Sequence, residues 1–178
     1  QAAAQLARQL LDPGLDLHQL GNRRGRGGFP RFDFGERVAR RGKAIGDRIE
    51  YMSGVTGVHT TAAEAWEQKR GVCQDITHLA LGALRSAGIP ARYVSGYLHP
   101  RPDAQIGETI AGESHAWVEW FCGGEWRGFD PTNLIDIGDR HVLVGRGRDY
   151  NDVPPLRGVY AGPFGSTLFV TVEITREA

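Results

Sequence analysis

Cysteine, lysine and long apolar runs are all scarce in this chain of 178 residues. Two cysteines, Cys73 and Cys122, are too few for a scaffold that depends on disulfides. Because no run approaches the roughly 18 apolar residues of a membrane-crossing helix, we predict no membrane segment. Basic and acidic residues balance at 21 each. The net charge therefore gives no reason to expect nucleic acid or a membrane as a partner.

The remaining composition is that of a globular protein, with 40% hydrophobic and 24% charged residues. We predict a single domain over residues 1–178, with N-terminal helices in 1–55 and a core over about 56–178. A basic stretch runs from Arg23 to Lys43, where a solvated loop and helix face is favoured over a site for an anionic partner. The chain begins at Gln1 and shows no signal-peptide pattern, so we expect a cytoplasmic location.

Helices are predicted in the first half of the chain. Residues 35–50 have apolar side chains at helical spacing. The capping box at 61–64 predicts a helix from Ala62 to about Lys69, with Gly71 as its C-terminal stop. A longer helix is predicted from Cys73 to Ser86. The apolar positions of this second helix form one stripe: Ile76, Leu79, Ala80, Ala83 and Leu84.

Strands follow the helices. The segments 91–98, 115–122, 125–130 and 167–175 are rich in β-branched and aromatic residues and predict strands. Residues 99–113 are predicted to be a polar loop. Because the helices precede a run of antiparallel strands, the pattern predicts an α+β domain.

Three residues together indicate thiol chemistry. Cys73 begins a predicted helix, where unpaired N–H groups and the helix dipole favour a thiolate. His115 opens one strand of a predicted hairpin and Asp130 closes the other. A turn at Gly123-Gly124 pairs residues whose numbers sum to about 247, which places His115 opposite Thr132. The Asp130 carboxylate is then within reach of the imidazole that it could orient.

Each of these residues has a structural explanation when it is taken singly. A cysteine at a helix start is often a small buried side chain, and an aspartate before proline often begins a turn. The ordered combination of Cys73, His115 and Asp130 favours catalysis over these separate explanations. No partner is predicted for His141.

Four ordered segments resemble the bacterial transglutaminase-like domain of the papain-like cysteine enzyme superfamily. They are Gly71–Asp75, Gly88–Tyr97, His115–Glu119 and Phe129–Asn133, followed by a similar stretch at 147–158. The resemblance implies a papain-like core, in which a Cys-bearing helix packs on an antiparallel sheet that carries His and Asp. It also implies a triad of Cys73, His115 and Asp130. Bacterial relatives usually carry a β-rich domain before this one, so we expect the chain to be a fragment that lacks it.

The implied activity is that of a thiol acyltransferase, which acts on Gln side-chain or peptide amides through a thioester. A cysteine peptidase or amidase on the same triad, or a non-catalytic protein-interaction domain, remains an alternative. The expected partners are a protein or peptide amide and an amine acceptor, with no nucleic acid and no membrane. We expect no cofactor and no metal, because the sequence has no CxxC or HExxH pattern.

The oxyanion donors are harder to predict. The backbone N–H of Cys73 is one candidate. Papain-like proteases take a second donor from a Gln six residues before the Cys, but Glu67 occupies that position here. Transglutaminases use an upstream aromatic side chain, for which Tyr51 and Trp66 are candidates, with Tyr51 preferred. Gln74 and Trp117 are further candidates for contacts with the oxyanion or the substrate.

Overall fold

The computed structural model describes residues 45, 47–159, 161–163, 165, 167 and 169–177. The predicted N-terminal helices fall almost wholly outside these residues. The basic stretch from Arg23 to Lys43 lies outside them as well.

Two helices and eight strands make up the described part of the chain. The helices are α1 (Ala62–Gln68) and α2 (Cys73–Ser86). The strands are β1 (Glu50–Tyr51), β2 (Arg70–Gly71), β3 (Ala91–Leu98), β4 (Thr109–Cys122), β5 (Glu125–Asp130), β6 (Ile135–Asp136), β7 (His141–Gly147) and β8 (Val172–Thr175). A short 3₁₀ turn over Tyr150–Asp152 follows β7.

The main sheet has the strand order β6-β5-β4-β3-β7, and each neighbouring pair is antiparallel. Strand β8 extends it by pairing with the first residues of β4. Strands β1 and β2 form a separate parallel pair. Helix α2 packs against β3 and β4. The predicted α+β fold, with a Cys-bearing helix on an antiparallel sheet, is therefore confirmed.

Helix α1 begins as its sequence predicts but ends differently. Thr61 and Glu64 form the reciprocal capping box, with the Glu64 carboxylate accepting from the Thr61 N–H at 2.7 Å. The helix ends at Gln68, and Lys69 takes the left-handed backbone conformation with φ of 58°. The prediction that Gly71 terminates the helix is wrong, because Gly71 pairs with Tyr51 in the β1–β2 pair.

Helix α2 has the predicted boundaries, and its apolar stripe is the centre of the core. All five stripe positions are at most 5% exposed. They share this core with Tyr93 of β3 and with three residues of β4: Ala116, Val118 and Trp120. Burial of this stripe against the sheet fixes the direction of α2 and hence the position of its first residue. Neither described helix is long and apolar enough to cross a membrane.

The hairpin of β4 and β5 has the predicted register. Gly123 and Gly124 both have positive φ values, of 65° and 91°, which two-residue hairpin turns require. The pairs run from Cys122–Glu125 to Val118–Phe129, and the residue numbers of each pair sum to 247. The turn chemistry alone therefore fixes how the two strands align.

Strand boundaries far from this turn differ from the predictions. Strand β4 begins at Thr109, so the end of the predicted loop 99–113 is strand. Strand β8 covers only part of the predicted segment 167–175. Both differences arise from one long-range pairing, in which Thr109 lies opposite Thr175. Strand β7 was not predicted, because its partner β3 is distant in the sequence.

Candidate active site

Cys73 is the first residue of α2 and is half-buried. The first helical hydrogen bonds run from the N–H groups of Asp75 and Ile76 to the Val72 carbonyl, at 3.0 and 3.1 Å. The Cys73 and Gln74 amides precede these bonds, at the positive end of the helix dipole. The Cys73 Sγ lies 3.9 Å from the Ser114 carbonyl oxygen of β4, so the nucleophile candidate faces the sheet.

The start of α2 is held by Asp75, whose side chain is 1% exposed. Its Oδ2 accepts hydrogen bonds from the Val72 N–H at 2.8 Å and from the Thr56 hydroxyl at 2.7 Å. A Cβ on Gly71 would lie 2.8 Å from this carboxylate oxygen. The close approach explains why a glycine precedes the helix: it leaves room for the carboxylate that caps it.

His115 lies between Asp130 and Cys73. Its Nε2 donates to Asp130 Oδ2 at 2.7 Å, and its ring lines the same cleft as Cys73. Because Nε2 is taken by the carboxylate, Nδ1 is the nitrogen available to the thiol. Burial by itself lowers the pKa of His115, but the hydrogen bonds and charges of Asp130 and Cys73 outweigh burial and raise it to about 9.

Asp130 is fully buried and surrounded by donors. Its Oδ1 accepts from the backbone N–H groups of Thr132 and Asn133, at 2.9 and 3.1 Å. Its Oδ2 accepts from the Asn133 side-chain amide at 2.8 Å as well as from His115. Burial raises the pKa of Asp130, but the bonds from His115, His141 and Asn133 lower it well below its ordinary range. The carboxylate is therefore held ionised.

His141, for which the sequence predicts no partner, is the third ring in this cluster. Its Nε2 lies 3.4 Å from Asp130 Oδ2, and its side chain is 1% exposed. The contact depends on the pairing of β7 with β3, where His141 lies opposite Leu98. Local sequence carries no signal for that pairing, because β3 and β7 are distant in the chain.

Within the described residues, one group of side chains has the composition of a metal site. The ligand atoms of His115, Asp130 and His141 lie within 4.8 Å of one another. However, the Gly138 N–H donates to Nδ1 of His141 at 3.3 Å. A metal ion on Nε2 would then leave that ring without a proton, whereas metal-bound histidines donate from their second nitrogen. The hydrogen bonds fit a proton-bearing cluster and do not fit a metal site.

A cleft of about 270 Å³ lies over these residues. Cys73 and His115 line it, together with side chains from the loop before α1, from β3 and β4, and from the segment after β7. None of its described lining residues is Asp, Glu, Lys or Arg. Beyond the Cys73–His115 pair, the described lining offers no charged partner, so an uncharged polar group such as a carboxamide suits the cleft.

Three hydrogen bonds tie both rims of the cleft to α2. On one rim, Thr56 donates to Asp75, and the Gln74 side-chain amide donates to the Val58 carbonyl at 3.1 Å. On the other rim, the Tyr150 N–H donates to His78 Nε2 at 3.2 Å. The helix that carries Cys73 thus also positions the walls around it.

The remaining predicted site residues lie at different distances from the cleft. Gln74 lines it, but its side-chain amide is used by Val58. Tyr51 is half-exposed, and burial followed by the charges of Cys73 and Glu113 raises its pKa, so its hydroxyl keeps its proton near the thiol. Trp117 is 1% exposed and packs on His141 with ring centroids 5.2 Å apart. A direct substrate contact of Trp117 has no support in this placement.

Similar proteins were found by sequence and by structure. A protein of Mycobacterium leprae is 53% identical over 131 residues, which are 74% of this chain and 47% of that protein. A protein-glutamine gamma-glutamyltransferase of Pseudomonas aeruginosa is 33% identical over 104 residues, which are 52% of this chain and 15% of that enzyme. The chain spans less than half the length of each of these relatives.

A solved structure has the same fold. It is the crystal structure of a protein from Cytophaga hutchinsonii that is provisionally assigned as a cysteine protease. The two chains superpose with a TM-score of 0.58 and 32% sequence identity, over 67% of this chain and 38% of that one. At this identity the likeness extends beyond the fold to the sequence that builds it.

A family model matches residues 31–131, which is more than half of the chain. The matched segment contains the start of α2 and the whole β4–β5 hairpin. This chain therefore belongs to the transglutaminase-like superfamily.

Proposed function

We propose that this protein is a thiol acyltransferase that acts on Gln side-chain or peptide amides through Cys73, His115 and Asp130. The observation that carries the proposal is the position of His115, which bonds Asp130 at 2.7 Å and lines one cleft with Cys73 at the start of α2. The sequence similarity to a protein-glutamine gamma-glutamyltransferase supports acyl transfer as the reaction.

The first half of the proposed reaction forms a thioester. In the resting pair the proton already lies on His115 Nδ1, and the Cys73 thiolate attacks the amide carbonyl carbon. The C–S bond forms while the carbonyl electron pair moves onto oxygen. The oxyanion then collapses, the C–N bond breaks, and His115 returns the proton to the leaving nitrogen.

The second half releases the acyl group. An amine or a water molecule gives a proton to His115 Nδ1 as it attacks the thioester carbon, and the Cys73 thiolate leaves. An amine gives a conjugate or a cross-link, whereas water gives the acid. Asp130 holds the ring orientation and stabilises the imidazolium throughout.

The oxyanion donors in this proposal are the Cys73 N–H and a second group beside it. The Cys73 amide lies before the first hydrogen bond of α2, so it is oriented toward the cleft end of the helix. Tyr51 is the better of the predicted second donors, because Gln74 is occupied by Val58 while the Tyr51 hydroxyl stays protonated near the thiol.

A cysteine peptidase or amidase is the second candidate, and the Cytophaga hutchinsonii structure favours it. The experiment that separates the two candidates incubates the protein with a glutamine-containing peptide, with and without a primary amine. Mass spectrometry then detects the acyl-enzyme, ammonia release and the fate of the peptide.

The expected result is an amine-dependent conjugate and an acyl-enzyme on Cys73. Formation of the acid alone, at a rate that the amine does not change, would instead identify an amidase, and backbone cleavage would identify a peptidase. Cys122→Ala is the matched control, because Cys122 is also free and half-buried. If no adduct or product forms in the wild type, the catalytic proposal fails.

A further inference from the structure

The Asp130 carboxylate contacts two imidazole rings, and the proposed reaction uses only one of them. His141 reaches Oδ2 from β7, on a strand that carries neither Cys73 nor His115. Its ring makes polar contacts with Asp130 and the Gly138 N–H, and ring contacts with His115 and Trp117. The nearest arginine in sequence, Arg140, instead donates to the carbonyls of His99 and Pro100.

The hydrogen bond from Gly138 determines where the His141 ring carries its proton. A backbone N–H can only donate to a ring nitrogen that has no proton of its own. Because Gly138 donates to Nδ1, the proton of the neutral ring lies on Nε2, which faces Asp130. A doubly protonated His141 would lose the Gly138 bond.

The two distances to Asp130 Oδ2 agree with this assignment. His115 Nε2 lies at 2.7 Å, within the range of hydrogen bonds between ionised groups, whereas His141 Nε2 lies at 3.4 Å. Trp117 packs edge-on against the His141 ring at an interplanar angle of 73°, which limits its rotation. The shorter bond therefore belongs to the charged ring and the longer bond to the neutral ring.

We propose that His141 is a positioning residue that stays neutral, donates to Asp130 and leaves the single positive charge of the cluster on His115. The inference rests on the proposed function of Cys73, His115 and Asp130. Two charged rings on one carboxylate would repel each other and weaken the His115 imidazolium. The Gly138 amide thus acts on the reaction indirectly, by keeping the second ring uncharged.

The first test observes the ring protons directly. Nitrogen-15 NMR of the labelled full chain at pH 7.5 is expected to show His141 protonated at Nε2 and unprotonated at Nδ1. His115 is expected to show two protonated nitrogens at this pH. His141→Gln assigns the signals by their loss. If His141 carries two protons where His115 carries one, the proposal is overturned.

The second test changes only the group that sets the proton position. Gly138→Pro removes the N–H that donates to His141, whereas Gly138→Ala keeps it and adds a Cβ into open space. We expect His141 to carry a proton on Nδ1 in part of the molecules in the proline variant alone. Equal His141 spectra in the proline and alanine variants would contradict the proposal.

The third test measures Cys73 alkylation with iodoacetamide at pH 6, with Cys122 as the internal reference. His141→Leu is expected to slow the reaction by about tenfold, which is less than the roughly hundredfold cost of a 1 Å misplacement. His141→Gln should restore it, because its amide can donate to Asp130 and cannot ionise. His99→Leu, which also replaces a buried imidazole, should leave the rate unchanged.

The outcomes separate this inference from the proposed function. A wild-type alkylation rate in His141→Leu, or an equal loss of rate in His99→Leu, would overturn the positioning role of His141. In either case, slow alkylation in His115→Ala would still uphold the proposed function. A wild-type rate in His115→Ala would remove the thiol–imidazole couple itself. If His141→Leu does not fold, the NMR spectra of Gly138→Pro and Gly138→Ala still test the role of His141.

Discussion

Two buried carboxylates on neighbouring strands are neutralised in different ways. Glu119 of β4 pairs with Arg92 at 2.6 Å and with Arg146 at 2.9 Å, and Arg92 also stacks on Trp126. Asp130 of β5 pairs with two histidines instead. Arginine keeps its charge at every accessible pH, whereas histidine exchanges a proton near neutrality. The first cluster can only hold strands together, while the second can also move a proton.

The largest expected difference between the clusters is in turnover. Asp130→Asn should lower the rate by about 10³- to 10⁴-fold and leave some activity, because the carboxylate orients His115 and does not react. Glu119→Gln should leave the rate close to that of the wild type, because Glu119 contacts arginines and no cleft residue. The measurement is amine incorporation into a glutamine peptide. Equal rates in the two variants would contradict the expected difference between Asp130 and Glu119.

The second difference concerns stability in alkaline solution. The folded protein holds the His115 proton up to a pKa of about 9, and the unfolded chain releases it near 6.5. Its contribution to the free energy of unfolding is therefore complete below pH 6.5 and is lost as the pH rises through 9. We expect a fall of up to about 3 kcal/mol across this window, measured by urea denaturation.

His115→Gln is the control for this slope, because it removes the titrating group. The slope should disappear in that variant and persist in Glu119→Gln. In Cys73→Ala it should become shallower, because the thiol is one of the two groups that raise the His115 pKa. A wild-type slope in His115→Gln would assign the alkaline loss to another group.

The third difference appears in acid. Burial raises the pKa of Glu119, but the bonds from Arg146 and Arg92 lower it below its ordinary value. Its stabilising effect is therefore present above the unfolded pKa of about 4.5 and is lost as the pH falls. Glu119→Gln should cost about 1–3 kcal/mol at pH 7 and less at pH 3. A cost that does not change with pH would mean packing, not charge, is lost.

The smallest expected effect comes from Arg146→Lys. Arg146 donates from Nε and Nη2 to the two Glu119 oxygens, at 2.9 and 3.1 Å, and a lysine can make only a single-point contact. The side chain is 43% exposed, so water screens the pair, and we expect a loss of about 0.5 kcal/mol. Thermal denaturation measures it, with Arg127→Lys as the comparison, because its partner Glu125 is 57% exposed whereas Glu119 is 11% exposed.

The comparison also shows which parts of the site local sequence can predict. The α2 boundaries follow from its apolar stripe, and the His115–Asp130 approach follows from the Gly123-Gly124 turn, because both are set by residues close in the chain. The partners of Glu119 and the contact of His141 depend on β3–β4 and β3–β7 pairing. No periodicity in one segment specifies which distant segment lies beside it.

Gly71 illustrates the same limit at a single residue. Its position suggests a helix stop, since glycine commonly follows a helix. Glycine is instead required at this position because of Asp75, whose Cβ and Oδ2 would lie 2.8 Å from a Cβ added to Gly71. A close contact of this kind is visible only in three dimensions, because it depends on how the chain enters α2.

The attachment of both cleft rims to α2 has a mechanical consequence. Thr56, Val58 and Tyr150 are hydrogen-bonded to side chains of the helix whose first residue is Cys73. Direct hydrogen bonds therefore connect both rims to the helix that carries the sulfur, so a displacement of the start of α2 would also displace the rims. For the proposed acyltransferase, we expect a slender group such as a glutamine side chain to enter with all three bonds intact and a wider chain to break at least one of them.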